Sequence, residues 1–406
     1  MSRQDGLSEW TRELSNRMPH LSKPQLVVLA MWSYGIALIK SCGRRSVAVF
    51  LAMLLGKNED AIEQRLQEWC CDAQDKSGKK RRTLDVTSCF MPLLAWIVAL
   101  WTGTCLALAV DATSLGDRFV VLTVSVVYRG TGIPVAWTVL AGQQKEAWRY
   151  HWLRMLRQVH RAIPRTWTVL VLADRGLYAA WLFRRIRRLE WHPFLRINSG
   201  AKFRPAGKAG WYWLRELVPE VGARWRGCGT AFRSPGCHLE CTLVAWWGEG
   251  HDEPWFILTD LPADGCDAAW YGLRTWCEQG FKCTKRAGWQ WQQTRMTDPD
   301  RAARLWLPLA IAMLWTVTLG SELETGPTEE IADVPDLSSI LAATIRTGRR
   351  RRIRLFRLGW LWLLVRLVTA QPLPLPRQLV PEPWPEIPEE WNTFLMHQKA
   401  LSHVTA

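Results

Sequence analysis

The sequence predicts an α/β protein in which a mixed sheet carries a β-rich insertion and follows an all-helical N-terminal domain. Two observations support this fold class. Residues 1–100 have the apolar spacing and turn signals of consecutive helices, whereas short apolar runs of strand length begin at residue 105. From there to residue 198, strands alternate with amphipathic helices, as in sheets that pack against helices. A chain of 406 residues is long enough to bury a large core around such a sheet.

The N-terminal segment contains two clear helix signals. Arg45–Leu55 is apolar and of helical length, and Gly56, Lys57 and Asn58 follow it as a turn. Asn58 is the predicted N-cap of a second helix that ends near Trp69 and has two acidic residues in its first turn. Helix, short turn and helix form the outline of a helix-turn-helix, and an ordinary helical hairpin fits the same pattern.

An uncharged run of 21 residues, Phe90–Val110, is long enough to cross a bilayer. Gly103 divides it into a helix-like half and a short strand-like half, CLALAV, which is the pattern of a buried helix that leads into a central strand. The apolar run at 305–319 contains Pro308, and a later one is interrupted by arginines. We therefore predict no membrane span.

The segment after residue 105 contains the elements of the predicted sheet. Apolar runs of strand length and amphipathic runs of helix length follow one another, and a Gly-containing turn joins the second and third strands. Three strands, a helix, a strand, a helix and a strand are predicted at 105–111, 118–128, 133–142, 146–163, 167–174, 177–190 and 192–197. This is the element order of a ribonuclease-H-like mixed sheet.

The rest of the chain changes in composition several times. A Gly-rich and Trp-rich segment with short strand-like runs is followed by a helical stretch, an acidic loop, the basic run at 348–357 and a Pro-rich tail at 371–391. The predicted regions are a helical domain with the helix-turn-helix outline, the first part of the α/β core, the β-rich insertion, the last part of the core with a Glu-bearing helix, and a basic, Pro-rich C-terminal region. They span residues 1–100, 101–198, 199–265, 266–325 and 326–406.

The net charge of +15 and the pI near 9.6 favour a polyanionic partner or an anionic membrane surface. The polar basic loop at 72–83 is either a linker or a phosphate contact. The basic run at 348–357 is either a solvated face or a phosphate contact. The 11 cysteines are predicted to be reduced thiols of a cytoplasmic protein. One cluster with the composition of a zinc site has irregular spacing, so buried thiols are the favoured interpretation of Cys228, Cys237, His238 and Cys241.

Two aspartates each end a buried apolar strand. Asp111 follows CLALAV and Asp174 follows WTVLVLA, which places both at the mouth of the predicted sheet, where ligands bind in open α/β folds. Aspartate also favours turns, so either residue alone could be structural. Glu278 adds a third acid on a later helix. Three such carboxylates could hold two Mg²⁺ or Mn²⁺ ions for phosphoryl transfer.

The segment YGLRTWCEQGFKCTK places Tyr271, Arg274, Glu278 and Lys285 at steps of three, four and seven residues. These steps predict that all four side chains share one helix face. Such a face could hold a DNA phosphate backbone beside the metal ions. A surface helix with an ion pair between Arg274 and Glu278 is the alternative interpretation.

These residues resemble the insertion-sequence family four transposases, whose signature is Tyr-(2)-Arg-(3)-Glu-(6)-Lys. The match is complete in residue type and spacing. AVDATSLGD and LADRGLY resemble the segments around the first and second catalytic Asp of that family, in which a β-rich insertion separates the second Asp from the Glu. The resemblance covers about residues 105–300.

The resemblance implies a role for each matching residue. Asp111, Asp174 and Glu278 would bind two Mg²⁺ or Mn²⁺ ions, and Arg295 would contact DNA. Trp255 corresponds to a tryptophan that stacks on a flipped base, although an ordinary core tryptophan fits the same apolar strand. The remaining signature residues would contact phosphates near the cleavage site, and they are Tyr271, Arg274 and Lys285.

The activity implied by the resemblance is cut-and-paste transposition. The enzyme would bind the terminal inverted repeats of its insertion sequence, cleave them and join the 3′-hydroxyl ends to target DNA. It would act as a homodimer, associated with the nucleoid in a bacterial cytoplasm. A ribonuclease-H-like nuclease without strand transfer and a catalytically silent DNA-binding relic remain as alternatives.

Overall fold

The computed structural model describes residues 3–79, 81–143, 148–325, 346–347, 350–351 and 353–386. The chain forms two compact units. The first contains Met1–Thr104, Ala112–Pro164 and Trp276–Glu382, and the second contains Cys105–Asp111, Arg165–Thr275 and Pro383–Ala406. Both units are therefore built from segments that are distant in sequence. The domain boundaries expected from the sequence stay predictions.

The described residues form helices and strands that are numbered in chain order. The helices are α1 Arg3–Arg17, α2 Lys23–Ile39, α3 Arg44–Leu55, α4 Glu59–Cys70, α5 Phe90–Leu100, α6 Arg149–Val159, α7 Ala180–Arg187, α8 Leu214–Leu217, α9 Thr275–Thr284, α10 Pro299–Thr325 and α11 Leu355–Val368. The strands are β1 Cys105–Leu115, β2 Phe119–Tyr128, β3 Thr131–Ala141, β4 Thr168–Ala173, β5 His192–Arg196, β6 Lys202–Pro205, β7 Tyr212–Trp213, β8 Arg224–Ala231, β9 Leu239–Trp246, β10 Trp255–Thr259, β11 Arg346–Thr347 and β12 Arg350–Arg351.

The first unit is organised around α10, which is apolar on all sides and packs against α2, α11 and β3. Trp315 of α10 stacks on Trp10 of α1 at a ring-centroid distance of 4.1 Å, and the Trp10 indole donates a hydrogen bond to Ser33. Several of the many tryptophans thus fill this core, and Trp137 and Trp306 are examples. The predicted N-cap is confirmed, because the Asn58 side chain accepts a hydrogen bond from the Ala61 backbone N–H.

One described helix, α10, is long and apolar enough to cross a membrane, and the bent pair α2 and α3 would be a second if counted as one span. The most apolar window of α10 is 94% buried within the protein, which is how the core helix of a globular unit behaves. The run 90–110 has the predicted break. It forms α5 and then, after Gly103, the start of β1.

The hairpin predicted from the sequence is confirmed in the first unit. Strands β2 and β3 pair antiparallel from Phe119↔Ala141 to Tyr128↔Thr131, and α6 packs against them. The predicted helix from Glu146 is shorter in the structure, because α6 begins at Arg149 and a 3₁₀ turn follows it; Glu146 itself lies outside the described residues.

The second unit contains a large mixed sheet. Strands β1, β4 and β5 are parallel, and β10, β9 and β8 continue the sheet antiparallel to one another. The short strands β6 and β7 follow at its edge. Strands are present in the segment 199–265 as predicted, and they extend the sheet directly because β10 pairs with β5.

The helix predicted at 177–190 is limited to α7, because a turn from Asp174 to Leu177 occupies the residues before it. The element order expected between residues 105 and 197 is observed. Three predicted segments lie partly outside the described residues. They are most of the acidic loop, residues 348, 349 and 352 of the basic run, and the end of the Pro-rich tail.

Candidate active site

The register of two parallel strands brings Asp111 and Asp174 to the same edge of the sheet. Strands β1 and β4 pair from Cys105↔Thr168 to Val110↔Ala173, and each aspartate directly follows the last paired residue of its strand. Carboxylates at the carboxyl ends of adjacent parallel strands face the crevice in which such sheets bind ligands. Both runs are apolar, and their composition predicts that they are buried and paired in a sheet. The close approach of Asp111 and Asp174 was therefore predictable from the sequence.

One detail of that prediction is wrong. Asp111 does not end its strand, because β1 continues through Ala112 to Leu115. It is the pairing with β4 that stops at Val110. The three residues after Asp111 are alanine, threonine and serine, which are small or polar and gave no sign of continuing an apolar strand. Asp111 is therefore held on both sides by extended backbone and is 9% exposed.

Arg274 lies between the two aspartates. Its Nη2 atom is 2.9 Å from Asp111 Oδ2 and 3.6 Å from Asp174 Oδ2. The side chains of Arg274 and Asp111 are each only 13% exposed, so this ion pair is poorly screened by solvent. Two carboxylates thus share one cation at the sheet edge.

The charge state of Asp174 follows from its neighbours. Burial alone would raise the pKa of Asp174, but the Arg175 backbone N–H, the Arg274 guanidinium and the Tyr271 hydroxyl together lower it below its usual value. The Arg175 N–H donates to Oδ1 at 2.7 Å and the Tyr271 hydroxyl donates to the same atom at 3.0 Å. Asp174 is therefore held as a carboxylate.

Tyr271 is a buried member of this site. Burial, and next the charge of Asp174, raise the pKa of Tyr271 well above its usual value, so the phenol stays a proton donor. The Arg196 guanidinium lies 5.7 Å from the Tyr271 ring centroid, and Trp255 meets the ring edge-on at 5.1 Å.

Trp255, the first residue of β10, belongs to an aromatic cluster. His251 stacks on its ring at 4.3 Å and Trp246 meets it edge-on at 5.8 Å. Burial, followed by the charge of Arg196, lowers the pKa of His251. Trp255 is half-buried, so the structure gives it packing partners and leaves part of the side chain exposed.

The four signature residues do not share a single α-helix, and the prediction of one helix face is wrong in this respect. Residues Ala268–Arg274 form a 3₁₀ helix, which carries Tyr271 and Arg274, and α9 starts at the next residue. The Asp267 side chain caps the 3₁₀ helix by accepting a hydrogen bond from the Ala269 N–H at 2.8 Å. A 3₁₀ helix has three residues per turn, so Tyr271 and Arg274 still point the same way.

Glu278 and Lys285 belong to the α9 segment in the first unit. Glu278 is exposed in the first turn of α9, where a carboxylate interacts favourably with the helix dipole. Lys285 follows the last turn, and its ammonium group donates to Thr113 Oγ1 at 2.7 Å and to the Ser114 carbonyl at 2.8 Å. Burial lowers the pKa of Lys285. The end of α9 is thus tied to the part of β1 that follows Asp111.

The position of α9 depends on close backbone packing. A Cβ atom on Gly280 would lie 2.3 Å from the Gly132 carbonyl oxygen, and one on Gly132 would lie 2.9 Å from Cys277 Cα. Only glycine permits this approach of the helix to the start of β3. Glu278 sits within this tightly packed turn.

Arg295 lies in the loop before α10. It is exposed and lines an open groove of about 860 Å³ together with Arg44 and Arg45. The sequence did not single out Arg196 or His251. Arg196 ends β5, the parallel neighbour of β4, and this position at the same sheet edge was the available signal.

The donor types at the sheet edge fit a hard divalent cation. Asp111 and Asp174 offer carboxylate oxygens to one shared position, and the Arg274 nitrogen between them shows that a positive charge is stable there. Among the described residues, no group of three or more His, Cys, Asp or Glu side chains is arranged to hold a metal ion. That finding includes the irregular cysteine cluster that begins at Cys228.

Comparison with known proteins bears on this site. A family model described as a transposase DDE domain matches residues 108–315, just over half of the chain and a range that includes all three candidate acids. No curated protein matches the sequence. A similar solved structure is the piggyBac transposase in a synaptic complex with hairpin DNA, with a TM-score of 0.32 and 11% identity, covering 67% of this chain. The match spans 58% of the length of that transposase chain.

Proposed function

We propose that this chain, which belongs to the transposase family defined by a DDE domain, is a cut-and-paste enzyme of the insertion-sequence family four type. It would bind the terminal inverted repeats of its element, cleave them by metal-dependent hydrolysis and join the 3′-hydroxyl ends to target DNA. The single observation that carries the proposal is the pair Asp111 and Asp174, brought together by the β1–β4 register and sharing one cation.

Asp111, Asp174 and Glu278 are the proposed ligands of two Mg²⁺ or Mn²⁺ ions. When bound, such ions stabilise the attacking and leaving oxygens of phosphoryl transfer. Other residues of the site keep the Asp174 carboxylate ionised and oriented. The lowered pKa keeps Asp174 ionised, and the Tyr271 hydroxyl, by donating to Oδ1, fixes the orientation of the carboxylate.

Arg274, Tyr271 and Lys285 are the proposed contacts to DNA phosphates. A guanidinium binds phosphate and carboxylate oxygens with the same geometry, so Arg274 can exchange a carboxylate for a phosphate oxygen without losing a charge-assisted hydrogen bond. Lys285 presents an ammonium group next to the β1 residues that follow Asp111. Trp255 is proposed to stack on an extruded base, and Arg295 to contact the backbone.

Further parts of the proposal rest on the family and on element order. The order of strands and helices from β1 to β5 supports a ribonuclease-H-like core. A helical DNA-binding role is proposed for residues 1–100. Synapsis of two element ends calls for a homodimer, and the proposed location is the nucleoid of a bacterial cytoplasm.

The test is cleavage of DNA that carries the two ends of the encoding element, with and without Mg²⁺. Asp174→Asn and Glu278→Gln are expected to reduce cleavage by at least about 100-fold, as loss of a metal ligand should. Glu220→Gln, which neutralises an exposed acid elsewhere, is the matched control and should cleave like the wild type. Equal cleavage by wild type and Glu278→Gln would remove Glu278 from the site.

The same reactions distinguish a transposase from a nuclease. Addition of a supercoiled plasmid should yield products in which the 3′ ends of the element are joined to plasmid DNA. Cleavage without joined products would favour the nuclease alternative, and DNA binding without cleavage would favour the silent relic.

A further inference from the structure

The outer face of α6 carries a line of arginines. Tyr150, Arg154, Arg157 and Arg161 follow one another at steps of four, three and four residues, which places them on one face of α6 and of the 3₁₀ turn that continues it. Arg157 and Arg161 are exposed, Arg154 is half-buried, and the Tyr150 side chain is 64% exposed. We name Arg154, Arg157 and Arg161 the arginine stripe.

The opposite face of α6 accounts for its folding. Trp152, Met155, Leu156 and Val159 are buried where the helix packs against α5, β2 and β3. This apolar face holds the helix in place, so the arginine stripe is not needed to attach it. The stripe residues can therefore contact a partner outside the unit while the apolar face keeps the helix attached.

The charge of this face is one-sided. No Asp or Glu occurs in the sequence between Glu146 and Asp174. Within the parts of the chain that the structure describes, none of the three stripe arginines forms an ion pair with a carboxylate. A solvated helix face ordinarily mixes both signs, because opposite charges at neighbouring positions stabilise it.

Other exposed helices of the same unit show that mixture. Arg17 pairs with Glu13 at 2.7 Å on α1. On α4, Arg65 is accompanied by several acids, and Glu63 pairs with Arg44 at 3.0 Å. The arginine stripe therefore differs from these two helices of its own unit, because no carboxylate of the described residues forms an ion pair with its charges.

We propose that the arginine stripe binds the phosphate backbone of duplex DNA. The inference rests on the proposed function only in taking DNA as the substrate. From Arg154 to Arg161 the chain advances about 10 Å, at 1.5 Å per helical residue. One strand of DNA presents a phosphate about every 3.4 Å along the duplex axis, so about three phosphates lie within that distance. Three permanently charged guanidinium groups match them in number.

Contacts of this kind carry no base specificity. The stripe would add affinity for any duplex, and would hold flanking or target DNA independently of the residues proposed to cleave it. Each neutralised phosphate releases counterions, so the salt dependence of binding reports the number of contacts.

The experiment measures binding of a random-sequence duplex of about 30 base pairs, large enough to cover the stripe, by fluorescence anisotropy in EDTA at several salt concentrations. The triple variant Arg154→Gln/Arg157→Gln/Arg161→Gln is expected to bind more weakly and to lower the slope of log affinity against log salt by up to about 2.7, or about 0.9 per contact. The triple Arg→Lys variant keeps the charges and should retain most of the wild-type slope.

The matched control removes the same three charges from exposed sites in the other unit, by Arg165→Gln/Lys208→Gln/Arg215→Gln. A loss in this control as large as in the stripe variant would overturn the proposal, as would an unchanged slope in the stripe variant. The single reversal Arg157→Glu, at an exposed position, tests the same point if the triple variant does not fold. Because neither element ends nor metal are present, these outcomes do not depend on whether the enzyme cleaves DNA.

Discussion

The Nη2 atom of Arg274 lies 2.9 Å from Oδ2 of Asp111, so a residue proposed to hold DNA is paired with a residue proposed to hold metal. The same nitrogen is 3.6 Å from Asp174 Oδ2. A divalent ion bound by both carboxylates would compete with this guanidinium for the same oxygens. DNA could relieve the competition by offering Arg274 a phosphate instead.

This relationship predicts that Arg274→Gln raises the affinity for Mn²⁺ in the absence of DNA. Removing the competing cation should lower the dissociation constant by roughly tenfold, which corresponds to about 1.4 kcal/mol. Isothermal titration calorimetry or the electron paramagnetic resonance signal of free Mn²⁺ measures it. Arg187→Gln, which removes an arginine paired with Asp260 at 3.3 Å, is the control and should leave Mn²⁺ affinity unchanged. Weaker Mn²⁺ binding by Arg274→Gln would show that the guanidinium organises the carboxylates instead of competing with the ion.

The lowered pKa of Asp174 predicts that the stability of the protein depends on pH. Its pKa is lower in the folded protein than in the unfolded chain, so the unfolded state binds more protons and stability rises with pH across that interval. The contribution is fully present above the unfolded value of about 3.9 and is lost as pH falls through the folded value. The melting temperature of wild type should exceed that of Asp174→Asn at pH 7, and the gap should shrink below about pH 4. Differential scanning calorimetry in metal-free buffer measures both, with the exposed Asp264→Asn as control; a gap that stays constant with pH would contradict the lowered pKa.

The sequence predicted those parts of the site that depend on strand burial. Asp111 and Asp174 come together because two apolar runs pair in parallel and each is followed by an acid, and both facts are visible in the chain. The 3₁₀ helix at Tyr271 and Arg274 was not predictable from spacing, because the step of three residues between them fits either helix type. The pairing of Arg274 with Asp111 joins residues 163 positions apart, and local sequence pointed instead to Glu278.

Substitution of Lys285 distinguishes a structural role of this residue from a contact with DNA. Lys285→Ala removes hydrogen bonds to Thr113 and to the Ser114 carbonyl, and should lower the free energy of unfolding by roughly 1–3 kcal/mol. If the ammonium group also contacts phosphate, affinity for element-end DNA should fall and the salt slope should decrease by about 0.9. Thr113→Val is the matched control, because it removes one of the two hydrogen bonds and leaves the charge. End-DNA binding by Lys285→Ala equal to that of Thr113→Val would leave Lys285 with a structural role alone.

Gly280 provides a test of how α9 positions Glu278. A methyl group at Gly280 would meet the Gly132 carbonyl oxygen at 2.3 Å, so Gly280→Ala must push α9 away from β3. Overpacking of this kind lowers the free energy of unfolding by about 1–3 kcal/mol. Glu278 lies two residues before Gly280, so we expect it to be displaced together with the helix. We expect a lower melting temperature and a fall in Mg²⁺-dependent cleavage of roughly 100-fold, the loss that a misplacement of about 1 Å can cause. Gly236→Ala is the matched control, because the space around Gly236 is open and its melting temperature and cleavage should equal those of wild type. A destabilised Gly280→Ala enzyme that still cleaves at the wild-type rate below its melting temperature would show that cleavage does not depend on the close packing of α9 against β3.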